Sequence, residues 1–284
     1  MTDQAEKLRM MVQQSQMSHA KVIAVISGKG GVGKSNVSLN FALSLIQQQL
    51  KVTVIDLDIG MGNLEILLGK PAKYSIVDML ERDLLISDIK EAGPGHLNFI
   101  AGGTGLSELV KLNEIKLQKF SEQLTELSLT NDYIILDLGA GLTEETFGFI
   151  LAADEVFVVT TPEPTAVTDA YSMIKYLTAK DEQKPLYLLV NKVDSDKEGK
   201  QTAFNLQQVA KRFLNKEIEM LGYLPNDPQV SKAVKAQTPF IIYDQKSKVS
   251  KSLKKIVATY LGRGKSTVKS VGFVQKIQSW FIAK

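Results

Sequence analysis

The chain has 284 residues, 44% of them hydrophobic and 23% charged, which is ample for a sizeable core and ordinary for a globular protein. A net charge of +3 is too small to imply nucleic-acid binding by itself, and the lack of cysteine excludes disulfides, thiolate metal sites and iron–sulfur clusters while fitting a reducing cytoplasm. Two histidines argue against a His-based metal site, "MTDQAEKLRM" is too polar for a signal peptide, and no apolar run reaches the roughly 20 residues that cross a bilayer.

Three parts follow one another. Residues 1–20 form a polar, Met- and Gln-rich leader, residues 21–262 alternate short β-branched runs with longer amphipathic ones, and residues 263–284 form a basic, glycine-punctuated tail. In the leader, "TDQAEKLRMMV" predicts a helix capped by Thr2 or Asp3, with Ala5, Leu8, Met11 and Val12 on one face. On pattern alone that is a frayed or core-docked helix.

The predicted strands are "KVIAVIS", "KVTVIDLD", "LNFIAGG", "DYIILDLG", "EVFVVTTP", "PLYLLVNKV", "EIEMLGYLP" and "PFIIYD". Most are continuous apolar runs, the mark of strands buried on both faces in a parallel sheet. Helical patterns over Asn36–Gln49, Ile115–Leu127, Thr143–Ala152, Ala166–Thr178 and Ala203–Phe213 separate most of them. The expected architecture is a doubly wound, mostly parallel α/β sheet with helices on both faces, and such sheets bind ligands at the carboxyl ends of their strands.

The stretch after the first strand is "GKGGVGKS", Gly28–Ser35, which fits G-x-x-x-x-G-K-[ST] between a strand and a helix. Gly28, Lys29, Gly30, Gly31, Val32, Gly33, Lys34 and Ser35 would wrap phosphates with backbone N–H groups at a helix N-terminus. Lys34 is aimed at the β- and γ-phosphates, and the Ser35 hydroxyl at Mg²⁺. Lys29 is unusual. A lone loop lysine is ordinarily solvated, but K-G-G-V-G-K-[ST] resembles the deviant phosphate loop of the MinD/ParA ATPases. The resemblance implies that Lys29 reaches across an ATP-dependent homodimer to the partner's phosphates, supplying a cation only when two chains assemble.

The resemblance continues in order to about Gly262. "VIDLDIGMGNLEILLG" looks like the family's first switch segment, which implies that Asp58 orients the attacking water near the metal; Asp56 has a weaker metal or supporting role. "YIILDLGAGL" places Asp137 at a strand end, suited to holding the water shell of Mg²⁺, with Gly139 and Gly141 letting the loop reshape. Relatives carry Thr or Ser where Asn36 stands, and its amide is the candidate donor to the α-phosphate. The base is read two ways. Asn191-Lys-Val-Asp194 alone matches the N-K-x-D of GTPases, whose carboxylate accepts from guanine; the resemblance implies ATP, with Asn191 at the adenine and "LPNDPQV" around it. Pro225 and Asp227 are candidate walls there, although P-N-D-P also reads as an ordinary turn.

In the tail Phe273, Val274, Ile277, Trp280 and Phe281 share one face of a helix of about 15 residues, flanked by Lys269 and Lys276. That face suits the headgroup layer of a membrane or a groove on the domain core. "GRGKST" before it (Gly262–Thr267) is a hinge sequence. Two such tails on a dimer would bind far more tightly than one.

The leader's "DQAEKLR" resembles the N-terminus of the flagellar branch of the family, FlhG/YlxH, in which this segment stimulates the GTPase FlhF. The resemblance implies partner contacts by Gln4, Leu8 and Arg9, further partners in the flagellar switch complex, no nucleic acid, and a cytoplasmic protein reversibly bound to the inner face of the membrane. The expected output is control of flagellar placement or number by a Mg²⁺-dependent ATPase. The rivals are a MinD-type division-site ATPase, which lacks the leader; a ParA-type DNA-segregation ATPase, which has no use for Trp280 and Phe281; and a nucleotide-reading module that barely hydrolyses, against which Asp58 stands.

Overall fold

The computed structural model describes residues 19–58, 62–103, 114–141, 144–263 and 272–282. Gln4, Leu8 and Arg9 of the leader lie outside the described residues, as do the segment 264–271 and the side chain of Phe281.

Among the described residues, eight strands form one sheet: β1 Lys21–Ser27, β2 Val52–Leu57, β3 Glu91–Ala92, β4 Asn98–Ala101, β5 Tyr133–Ala140, β6 Glu155–Thr160, β7 Leu186–Val193 and β8 Glu219–Pro225. Their spatial order is β3-β4-β2-β5-β1-β6-β7-β8. Only the β3–β4 pair is antiparallel. The described helices are α1 Lys34–Ile46, α2 Leu64–Leu68, α3 Ile76–Arg82, α4 Ile86–Ile89, α5 Glu114–Thr130, α6 Glu144–Ala152, α7 Pro164–Lys180, α8 Asp196–Leu214, α9 Pro228–Lys235, α10 Phe240–Tyr243, α11 Lys248–Gly262 and α12 Phe273–Ile282.

The alternation of β1 shows why both faces are covered. Val22, Ala24 and Ile26 point into a core shared with α5, α6, α7, α8 and α12, while Ile23 and Val25 point into a second core beneath α1 and α11. In the second core Phe41, Phe157 and Tyr260 meet edge to face at 5.2–5.5 Å. The strand order reverses direction at β1, since β2 lies to one side of it and β6 to the other, and the Gly28–Ser35 loop follows β1 at this switch point.

Three expectations change. "PFIIYD" forms the single helical turn α10 instead of a strand. Pro239 sets the turn, Phe240 and Ile241 fill the second core, and Asn40 Oδ1 accepts from the Ile241 N–H at 2.9 Å, so no strand neighbour is needed. Helix α11 has no counterpart among the predicted elements, although Val249, Leu253, Ile256, Val257 and Tyr260 recur at helical spacing and are buried. The tail helix is ten residues long and is docked. Phe273 and Ile277 are buried between α5 and α6, Val274 packs on the same core, and Trp280 lies over Gly148 of α6. Protein thus covers Phe273 and Ile277 and packs against Val274 and Trp280, four residues of the face expected to meet a membrane.

No described helix is long and apolar enough to cross a membrane.

Candidate functional site

The phosphate loop leaves β1 at Ser27, whose hydroxyl donates to Lys29 O at 3.1 Å. Helix α1 starts without a side-chain cap and without an acidic residue in its first turn, while α8, α9 and α11 are capped by Ser195, Asp227 and Ser247. Its first N–H groups and positive dipole end are therefore open to an anion. Gly33 precedes it at φ +88°, and a Cβ there would lie 2.5 Å from Asn191 Nδ2. Gly28 is held closer still: its Cβ would fall 2.4 Å from the Asp169 carbonyl carbon.

The two lysines of the loop are separated in environment. Lys34 is 7% exposed and its ammonium meets Asp137 Oδ1 at 2.7 Å, where the Ser38 hydroxyl also donates, at 2.8 Å. Lys34 also lies 3.4 Å from Ser35 Oγ. Asp137 is fully buried, and its Oδ2 has no hydrogen-bond partner among the described residues. A buried carboxylate oxygen without a partner is unfavourable unless something binds it, and beside the Ser35 hydroxyl a hard divalent cation or its water shell fits. Lys29 turns outward, donating to Glu163 Oε2 and Thr165 Oγ1, both at 2.9 Å. Lys29 holds the Glu163 carboxyl below its usual range, and a surface pair of this kind is weak.

Asp56 and Asp137 stand opposite each other in the β2–β5 register. Asp56 accepts from the N–H groups of Asp58 at 3.0 Å and Leu64 at 3.2 Å, so it joins the end of β2 to the start of α2. Burial, and then the Asp137 charge, pushes its carboxyl up to about 7. An unfolded aspartate titrates near 3.9. The folded chain thus binds the extra proton between about pH 4 and 7, and this group's contribution to stability falls as pH rises through that window. In EDTA without nucleotide, wild type should lose of order 2 kcal/mol relative to Asp56→Asn between pH 5 and 7.5. Parallel denaturation curves for the two proteins would remove Asp56 as the cause. Asp58 sits beside the segment that follows Asp137: a Cβ on Gly139 would lie 3.2 Å from its Oδ1. Gly141 N donates to Ser27 O at 3.0 Å, tying that segment to β1.

At the end of β7, Asn191 Nδ2 donates to Val32 O at 2.8 Å and Lys192 Nζ to Gly31 O at 2.7 Å. Asn191 therefore grips the loop itself. Asp227 caps α9 by accepting from Gln229 N at 3.0 Å, and its other oxygen accepts from Val249 N at 3.2 Å, so both oxygens serve the fold. Pro225 ends β8 at the same edge, and Asn36 lies half-buried on the first turn of α1, its carbonyl accepting from Asn40. The structure thus gathers Lys34, Ser35, Asp58, Asp137 and Asn191 around the loop. Sequence reasoning missed Ser38, Glu163, Thr165 and Lys192. Only Lys192 had a local signal, in N-K-x-D.

Residues 23–240 match the family described as the CobQ/CobB/MinD/ParA nucleotide-binding domain. The chain is 33% identical over 246 residues to the antiactivator FleN of Pseudomonas aeruginosa, covering 87% of this chain and 88% of FleN. It is 39% identical over 220 residues to the flagellum site-determining protein YlxH of Helicobacter pylori, covering 76% of this chain and 74% of YlxH. Among solved structures, the MinC:MinD cell division complex of Aquifex aeolicus superposes with a TM-score of 0.71 at 25% identity, over 89% of this chain and 100% of that one.

Proposed function

The chain belongs to the CobQ/CobB/MinD/ParA nucleotide-binding family, and from that premise we propose that it is a Mg²⁺-dependent ATPase of the flagellar branch, dimerising on ATP and controlling flagellar placement or number. The flagellar output rests on the relatives, above all the 39% identity to a flagellum site-determining protein. The chemistry rests on one observation, the division of the two loop lysines: Lys34 is buried on Asp137 while Lys29 is held at the surface by Glu163 and Thr165.

The division suits two tasks. Lys34 would turn from Asp137 to the β- and γ-phosphates of its own nucleotide, and Asp137 and Ser35 would then be free to hold the water shell of a magnesium ion. Magnesium would neutralise charge on the phosphates as the γ-phosphoryl leaves. Asp58 holds the attacking water. Lys29 exchanges a weak surface pair for a partner's phosphates, so the completed site exists only in the dimer. The docked α12 is the membrane element: its apolar face is stored on α5 and α6 and is exposed in the dimer, where two copies bind the inner membrane surface together. Residues 1–20 form a separate activator segment for FlhF, residues 21–262 the ATPase domain, and residues 263–284 the hinge and membrane element; the flagellar switch complex is the further partner.

Lys29→Ala tests the central step. The variant should bind ATPγS like wild type yet sediment as a monomer in its presence, with turnover reduced at least about tenfold. ATP-dependent dimers of normal affinity would refute the cross-subunit role.

A further inference from the structure

Side chains on a strand ordinarily alternate between faces. At the end of β7 they do not: Asn191 and Lys192 are successive, yet both reach carbonyls of the phosphate loop. The cause is a left-handed Lys192, φ +56°, where the β7–β8 register shifts between Val190 and Val193. A left-handed lysine is strained, and such strain persists where surrounding contacts impose it, often at ligand sites. Here the contacts are the two bonds to the loop.

The next residues extend this arrangement outward along the carboxyl edge. Asp194 is exposed, and its N–H is fixed by Glu198 Oε2 at 2.7 Å. Asn226 N donates to Val193 O at 2.8 Å, which locks the ends of β7 and β8 side by side. Asn226 Nδ2 then lies 3.3 Å from Asp194 Oδ1. The edge thus presents a carboxylate with an amide donor next to it, two residues beyond Lys192 in the chain. A nucleotide whose phosphates fill the loop carries its base out toward this strand end.

The hydrogen-bonding edges of the two purines differ. Guanine offers N1–H and its 2-amino group as adjacent donors, with O6 as acceptor beside them. A carboxylate takes both donors, and a neighbouring amide N–H serves O6. Adenine offers one amino donor next to an acceptor nitrogen, so it satisfies only one carboxylate oxygen. We propose that this site takes guanine as well as adenine nucleotides, and that Asp194 is the residue that reads guanine, with Asn226 beside it. The proposal rests on the nucleotide site argued above.

Calorimetric titration of the full-length protein with Mg²⁺ and either ATPγS or GTPγS separates the two readings. ATPγS binding tests the site itself. GTPγS should bind within about tenfold of ATPγS, and Asp194→Ala should weaken GTPγS at least about tenfold while leaving ATPγS within about threefold. Asp194→Asn exchanges an acceptor for a donor and should favour xanthosine triphosphate, whose C2 oxygen accepts, over GTPγS. GTPγS binding more than a hundredfold weaker than ATPγS overturns the proposal and leaves the site standing. Equal loss of both ligands in Asp194→Ala, with an unchanged melting temperature, reduces Asp194 to a brace and overturns it too. Failure of both nucleotides to bind wild type overturns the site and the proposal together.

Discussion

Lys34→Ala should abolish measurable turnover, a loss of at least about 10³-fold, and should also destabilise the nucleotide-free protein. The first effect would be the loss of the cation proposed to meet the transferring phosphoryl group. The second follows from burial. Asp137 is fully buried and Lys34 nearly so, with 2.7 Å between the charged atoms. Removing one partner of a buried pair leaves an uncompensated charge and costs about 3–5 kcal/mol. Ser38 still donates to Asp137 Oδ1 and keeps the loss toward the lower end. The double variant Lys34→Ala/Asp137→Ala separates the effects, because it removes both charges. It should recover most of the stability and none of the turnover. A single variant that turns over within tenfold of wild type would remove Lys34 from catalysis. A double variant no more stable than the single would show that the pair contributes nothing to the fold.

The phosphate loop and the strands around it are legible because their signals are local. Gly28, Gly33 and Lys34 stand at a spacing that only a phosphate loop requires, and β1, β5 and β6 are continuous apolar runs. What holds Lys29 is not local: Glu163 and Thr165 are more than 130 residues away in the chain and meet it only because β6 lies beside β1. Ser38 is one turn into α1 and reads as an ordinary helical serine until Asp137 is placed opposite it. Asp227 shows the converse. A carboxylate beside a predicted ligand edge looks functional, yet an aspartate followed by proline is also a helix start, and the cap prevails. The 3.6-residue period of the tail reports that one side is apolar and says nothing about whether lipid or protein covers it. One signal did point to protein. Gly148 interrupts the apolar run Phe147–Ala152 inside a helix, where glycine costs about 1 kcal/mol relative to alanine. Such a residue marks close approach, and in the structure Trp280 approaches there.

Gly148→Val should therefore turn the docked tail into a free one. A Cβ at this position would lie 2.4 Å from two carbon atoms of the Trp280 indole and 2.8 Å from a third. The obstacle is a rigid ring, anchored by Ile277 and Phe273 one and two turns away, so small shifts do not relieve it. Overpacking of this kind costs roughly 1–3 kcal/mol, which moves a docking equilibrium by about 5- to 150-fold toward the open side. Lys276 acts in the same direction: burial, and then the nearby Lys276 charge, pushes the Lys184 ammonium's pKa down. Helix α6 itself should survive, since Phe147, Phe149, Ile150 and Ala152 stay buried in the core. The variant should show red-shifted tryptophan emission, as its single Trp leaves α6 for water, and should sediment with anionic vesicles without nucleotide. Wild type should need ATP to do so. ATPγS binding should stay within a few-fold of wild type, which separates undocking from unfolding. Adding Trp280→Ala should remove the clash and restore nucleotide dependence, with weaker vesicle binding from the smaller face. Unchanged emission and vesicle binding in Gly148→Val would show that the contact with α6 does not hold the tail, and the stored-helix account would fall with it.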